Sequence, residues 1–127
     1  MTTKLRLLIV EDNKIAAQVL KNHCQQAGFR VDHAPTVALA TERLLTQCYE
    51  AIWMDLGLED GDGKSLTEWI RAGDNPNQHT PIIVMSAHMD ESLKQACLKA
   101  GANEVLVKPV SRALLDELLN KLGKEAR

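Results

Sequence analysis

Apolar residues follow two alternating rhythms along the chain. Residues 5–10 are apolar except for Arg6, with Leu7, Leu8, Ile9 and Val10 in unbroken succession. An unbroken apolar run, rather than apolar–polar alternation, predicts a strand buried on both faces. Residues 51–54 (AIWM) and 82–86 (IIVMS) repeat that signature, and 104–107 (EVLV) and the weaker 29–34 (FRVDHA) add two more short strands. Between the strands the spacing becomes helical. Residues 13–27 carry Ile15, Ala16, Val19, Leu20 and Cys24 at helical intervals and stop at Gly28. A helix over 36–48 is expected to bury Val37, Leu44 and Leu45, and a short one over 65–72 carries Leu66, Trp69 and Ile70. Residues 73–80 (GDNPNQHT) form a polar, turn-rich loop. A fourth helix over 90–100 turns Leu93, Ala96 and Cys97 inward and ends at Gly101. The last, over 111–122, gathers Leu114, Leu115, Leu118, Leu119 and Leu122 on one side.

Five strand–helix units predict an α/β fold: a doubly wound, five-stranded parallel sheet covered by helices on both faces. In such open sheets ligands sit beyond the carboxyl ends of the strands, near the point where strand order reverses. Strand one ends in Glu11-Asp12, strand three runs into Asp55, strand four ends in Ser86-Ala87 and strand five in Lys108-Pro109. With a 2-1-3-4-5 order, strands one and three are neighbours, and Glu11, Asp12 and Asp55 converge. Three close carboxylates repel and raise one another's pKa values. A divalent cation relieves the repulsion, and an all-oxygen set with few protein carboxylates suits Mg²⁺. With the Lys108 cation and the Ser86 hydroxyl nearby, the set fits phosphoryl transfer with Asp55 as nucleophile. Each residue alone has a plainer reading. An acid after a strand is commonly a turn or a helix cap, Ser86 could cap the next helix, and Lys108 could simply be solvated. The joint occurrence at four strand ends favours the site.

Composition narrows the alternatives. With 127 residues, 45% hydrophobic and 25% charged, the chain fits one domain (1–127, core about 5–122) with one core. A net charge of −2 recommends neither nucleic acid nor anionic lipid as partner. No run is long enough to span a membrane and no signal peptide is read, so the expected location is cytoplasmic without membrane contact. The three cysteines (24, 48, 97) are widely spaced and the four histidines (23, 33, 79, 88) lack ligand spacing, which suggests neither disulfides nor zinc. Asp60-Gly61-Asp62-Gly63 resembles the start of a calcium loop, but Lys64 and Arg71 occupy positions where ligands are needed. Gly63-Lys64-Ser65 lacks the preceding glycine of a phosphate loop, because position 58 is leucine. EDN after the first strand is not a dinucleotide fingerprint.

The segments LLIVEDN (7–13), WMDLGLEDGDG (53–63), PIIVMSAH (81–88) and AGANEVLVKPV (100–110) together resemble the receiver domains of bacterial two-component response regulators (chemotaxis-regulator-like). The spacing also matches: Ser86 lies 31 residues after Asp55, and Lys108 lies 22 after Ser86. The resemblance implies a flavodoxin-like (βα)5 fold and an Asp55 that accepts a phosphoryl group from a sensor histidine kinase or histidine phosphotransfer domain. It implies Mg²⁺ held by Asp12, Asp55 and the Gly57 carbonyl, with Glu11 holding a metal-bound water. Lys108 would pair with phosphoryl oxygens, Ser86 would move toward them, and small Ala87 would leave room. Lys108-Pro109 would be cis. Output would be a conformational shift at the face of the fourth helix, fifth strand and fifth helix, which could also support a homodimer. SAHMDES and ACLKAGA resemble receivers of hybrid sensor kinases. Two departures stand out. Val105 replaces the usual switch aromatic, and Glu59 stands where proline is common. Two other functions remain to be weighed: a degenerate receiver used only for docking, and a flavin binder on the same architecture. Intact Glu11, Asp12, Asp55, Ser86 and Lys108 argue against the first. EDN and scarce aromatics argue against the second.

Overall fold

Leu7–Val10 in strand β1 (Arg6–Val10) are fully buried, which makes it a central strand. In this computed structural model, residues 5–125 are described. The ends of the expected 1–127 domain, residues 1–4 and 126–127, lie outside the described residues. Chain order continues α1 (Lys14–Gln26), β2 (Arg30–Ala34), α2 (Val37–Thr46), β3 (Ala51–Asp55), β4 (Gly57–Leu58), β5 (Gly61–Asp62), α3 (Gly63–Arg71), β6 (Ile82–Ser86), α4 (Glu91–Ala100), β7 (Glu104–Val107) and α5 (Arg112–Glu125). The main sheet has order β2-β1-β3-β6-β7, with every pair parallel. That is the expected 2-1-3-4-5 arrangement, in which β6 and β7 are the fourth and fifth strands. The two extra labels belong to an antiparallel ribbon, β4–β5, absent from the sequence reading.

Alternate side chains along each central strand serve two cores. Leu8, Val10, Ile52, Met54, Ile82 and Val84 pack with residues of α2, α3 and α4. Leu7, Ile9, Ala51, Trp53, Ile83 and Met85 pack with α1 and α5. Each helix begins where a polar side chain accepts a hydrogen bond from its first turn: Asn13 from Ala16 N–H, Thr36 from Leu39, Asp62 from Ser65, Asp90 from Leu93 and Ser111 from Leu114. Gly101 ends α4 in the left-handed conformation that glycine permits.

One apolar expectation needs correction: Leu45 of α2 is half exposed, and Ala40 and Leu44 fill the core positions there. In α1, Ile15 and Val19 are well exposed, and Ala17 and Cys24 turn inward. Helical spacing identified the helices; it did not fix which stripe turns inward. The boundaries also moved. Asn13 and Thr36 are caps rather than helical residues, α2 ends at Thr46, β3 extends to include Asp55, and α3 starts at Gly63.

Candidate functional site

Glu11 follows β1, and Asp55 ends β3. Val10 pairs with Met54, so the two acids lie side by side just past the last paired rung. They continue the alternation of Ile9 and Trp53 toward the α1 and α5 side. Glu11 is only 3% exposed and Asp55 8%. Carboxylate oxygens of Glu11, Asp12 and Asp55 all lie within 4.8 Å of one another. Lys108, just past β7, reaches across the intervening β6 edge. Its Nζ lies 2.5 Å from Glu11 Oε1 and 3.3 Å from Asp55 Oδ1. The Lys108-Pro109 bond is cis, as expected.

The electrostatics follow from this crowding. Burial raises the Glu11 carboxyl above its ordinary pKa, and neighbouring Asp55 adds to the rise; Lys108 offsets only part of it. Burial works against the Lys108 ammonium, but the two acids outweigh it and hold that amine protonated more firmly than usual. Three acids and one lysine leave the cluster short of positive charge. A hard divalent cation fits this all-oxygen, partly buried donor set.

The remaining expected residues are placed differently. Ser86 ends β6, and its hydroxyl is occupied locally. It donates to the His88 carbonyl (2.9 Å) and accepts from the His88 N–H (3.3 Å). Gly57 opens the β4–β5 ribbon opposite Asp62 and is exposed. Gly63 closes the loop against the acid: a Cβ there would lie 2.3 Å from the Asp55 carbonyl oxygen and 2.8 Å from Met54 Cγ. Only glycine permits that approach. Val105 is half-buried on β7 and packs against the α2–α4 core.

Two contacts had no forewarning in the sequence. His33 Nε2 meets the Glu11 main-chain carbonyl at 2.7 Å. Asp60, in the ribbon turn, accepts from the N–H groups of Val37 (2.8 Å) and Ala38 (3.1 Å), tying the loop after Asp55 to the start of α2. In both contacts one partner is a main-chain group more than twenty residues away, and no spacing rule reports such a pair.

Known proteins resemble this chain in sequence and fold. The family profile described as response regulator receiver domain matches residues 7–120. The chain is 38% identical over 117 residues to the autoinducer 2 sensor kinase/phosphatase LuxQ of Vibrio vulnificus, covering 91% of this chain and 13% of that protein. It is 36% identical over 107 residues to the KDP operon transcriptional regulatory protein KdpE of Escherichia coli, covering 81% of this chain and 44% of that one. The chain thus spans a small part of LuxQ and under half of KdpE. Among solved structures, the receiver domain of sensor histidine kinase PA1611 from Pseudomonas aeruginosa PAO1, with magnesium coordinated in its active site cleft, superposes with a TM-score of 0.84 at 34% identity. The match covers 95% of this chain and 99% of that one. A two-component response regulator from Clostridium difficile reaches a TM-score of 0.89 at 23% identity, covering 98% of this chain and 99% of that chain, and shares the fold. Taken with the parallel sheet and the acids at its carboxyl edge, these matches show that the chain belongs to the response regulator receiver domain family of two-component signalling.

Proposed function

We propose that this receiver accepts a phosphoryl group on Asp55 from the phosphohistidine of a sensor histidine kinase or histidine phosphotransfer domain. The observation that carries this reading is the convergence of three carboxylates with Lys108 against a nearly buried Asp55. Asp12, Asp55 and the Gly57 carbonyl would hold Mg²⁺ directly, and Glu11 would hold it through a water molecule. When bound, the cation neutralises acid charge and the developing charge on phosphoryl oxygens.

The residues then divide the work. An Asp55 carboxylate oxygen forms the new P–O bond as the P–N bond to the donor breaks. The donor imidazole, protonated on its other nitrogen, keeps the electron pair and leaves neutral. Lys108, already 3.3 Å from Asp55, pairs with the phosphoryl oxygens. Ser86 exchanges its bonds to the His88 backbone for one to the phosphoryl group, which moves the loop between β6 and α4. The shift is read at the α4–β7–α5 face, which would also be the surface of any homodimer. Val105 serves there as a packed residue in place of the usual aromatic. The likeness to LuxQ supports an origin in a cytoplasmic hybrid sensor kinase.

The test is intact-protein mass after incubation with acetyl phosphate and Mg²⁺. Wild type is expected to gain one phosphoryl group, dependent on metal, and Asp55→Ala to gain none. If acetyl phosphate, phosphohistidine donors and beryllofluoride all leave wild type unchanged, the docking-module reading replaces this one.

A further inference from the structure

The end of β1 carries a contact that ordinary sheet geometry does not supply. In a parallel ladder, a residue's N–H bonds the carbonyl of the residue before its partner, and its C=O accepts from the residue after. Extending the β1–β2 register by one rung pairs Glu11 with Pro35. The first bond is present: Glu11 N–H donates to the Ala34 carbonyl at 3.2 Å. The second would come from Thr36 N–H, but the chain turns at Pro35 and Thr36 becomes the N-cap of α2. The His33 ring takes over that role. Its Nε2 lies 2.7 Å from the Glu11 carbonyl oxygen, which can only accept, so Nε2 carries the hydrogen.

This carbonyl belongs to the peptide that joins Glu11 to Asp12. A peptide is planar, so fixing its oxygen fixes the plane that sets both Cα positions. Two of the three acids of the cluster hang from that one plane. We propose that His33 is a positioning residue for the acidic pair: its imidazole locks the Glu11–Asp12 peptide and thereby preorganises the cation site. The inference rests on the Mg²⁺ reading given above. It assigns a role to a half-buried histidine on an edge strand, outside the Glu11, Asp12 and Asp55 group.

The test compares wild type, His33→Ala and His33→Gln by calorimetric Mg²⁺ titration. Removing a partner that orients metal ligands weakens metal binding by roughly 10-fold or more, and His33→Ala is expected to do so. Glutamine places an amide N–H donor at nearly the same distance from the backbone, so His33→Gln should restore wild-type affinity. A second readout needs no metal. The Asp12 amide resonance of the metal-free protein should move in His33→Ala and return in His33→Gln, with both variants showing cooperative thermal unfolding. Equal Mg²⁺ affinity in wild type and His33→Ala overturns the positioning role alone. Equal loss in both variants also overturns it, because donation would then not be what matters. Failure of wild type to bind Mg²⁺ overturns the cation reading itself, and the positioning role with it.

Discussion

Glu11 shows what a reactive site demands of a single residue. It is 3% exposed, faces Asp55, and its only paired cation among the described residues is Lys108, which also serves Asp55. Burial first, then Asp55, raises its pKa in the folded chain. A carboxyl whose folded value exceeds its unfolded value of about 4.3 contributes stability below that unfolded value and loses it as pH rises through the folded one. The ionised Glu11 therefore costs the metal-free fold stability at neutral pH. Glu11→Gln should raise the melting temperature at pH 7 by a few degrees without Mg²⁺. That advantage should vanish in acid, where wild-type Glu11 is protonated in both states. Added Mg²⁺ should reverse the order, since it stabilises the wild-type acids by mass action. Melting curves across pH, with and without Mg²⁺, measure both effects; a variant no more stable than wild type at pH 7 without metal would refute the strain argument.

At the scale of elements, the informative contact is between a loop and a helix. Asp60 sits at the turn of the β4–β5 ribbon and caps α2 across the chain, beside Thr36, which caps it locally. Hydrogen bonds from Val37 N–H and then Ala38 N–H hold the Asp60 carboxyl below its usual range. A folded value below the unfolded one, about 3.9, gives stability that is present above the unfolded value and lost as pH falls through the folded one. Asp60→Asn should melt below wild type at pH 7, and the gap should close in acid. Melting temperature against pH tests this, and a gap that persists in acid strong enough to protonate Asp60 in both states would point to lost shape rather than lost charge. The same loop marks where the sequence stopped being legible. Continuous apolar runs revealed β1, β3 and β6 because strands buried on both faces leave no other pattern. The rule that ligands gather at carboxyl edges pointed to Glu11, Asp12, Asp55 and Lys108, which the fold brings together, and to Ser86, whose hydroxyl bonds the His88 backbone instead. A ribbon of two-residue strands has no periodicity to read. Its anchor, Asp60, and the His33 contact depend on where distant backbone groups fall, and only the folded chain decides that. Leu45 was misplaced because a helical repeat defines a stripe without saying which stripe meets the sheet.

Across the whole molecule, the two edges of the sheet carry opposite duties. The carboxyl edge concentrates acids that repel, and the opposite edge compensates through a buried polar hub. Asn77, in the loop read from sequence only as polar, is 0% exposed. Its amide donates to the carbonyls of Leu44 (2.9 Å) and Gln47 (2.7 Å) at the end of α2. Its oxygen accepts from Tyr49 N–H (2.8 Å), just before β3, and from the Thr80 hydroxyl (3.1 Å), just before β6. One side chain thus ties a helix and two central strands to the loop between α3 and β6. Asn77→Ala strands these groups in a dry interior, and each buried group left unpaired costs about 1–3 kcal/mol. Neighbours can re-pair some of them, so a loss of about 3 kcal/mol is expected, read from urea unfolding at unchanged slope. Because the hub lies at the end of β3 remote from Asp55, the folded variant should keep wild-type Mg²⁺ affinity and phosphorylation at low temperature. Weakened Mg²⁺ binding in that variant while it remains folded would show that the two edges are mechanically coupled, and that stability and chemistry are not separated as the hydrogen bonds suggest.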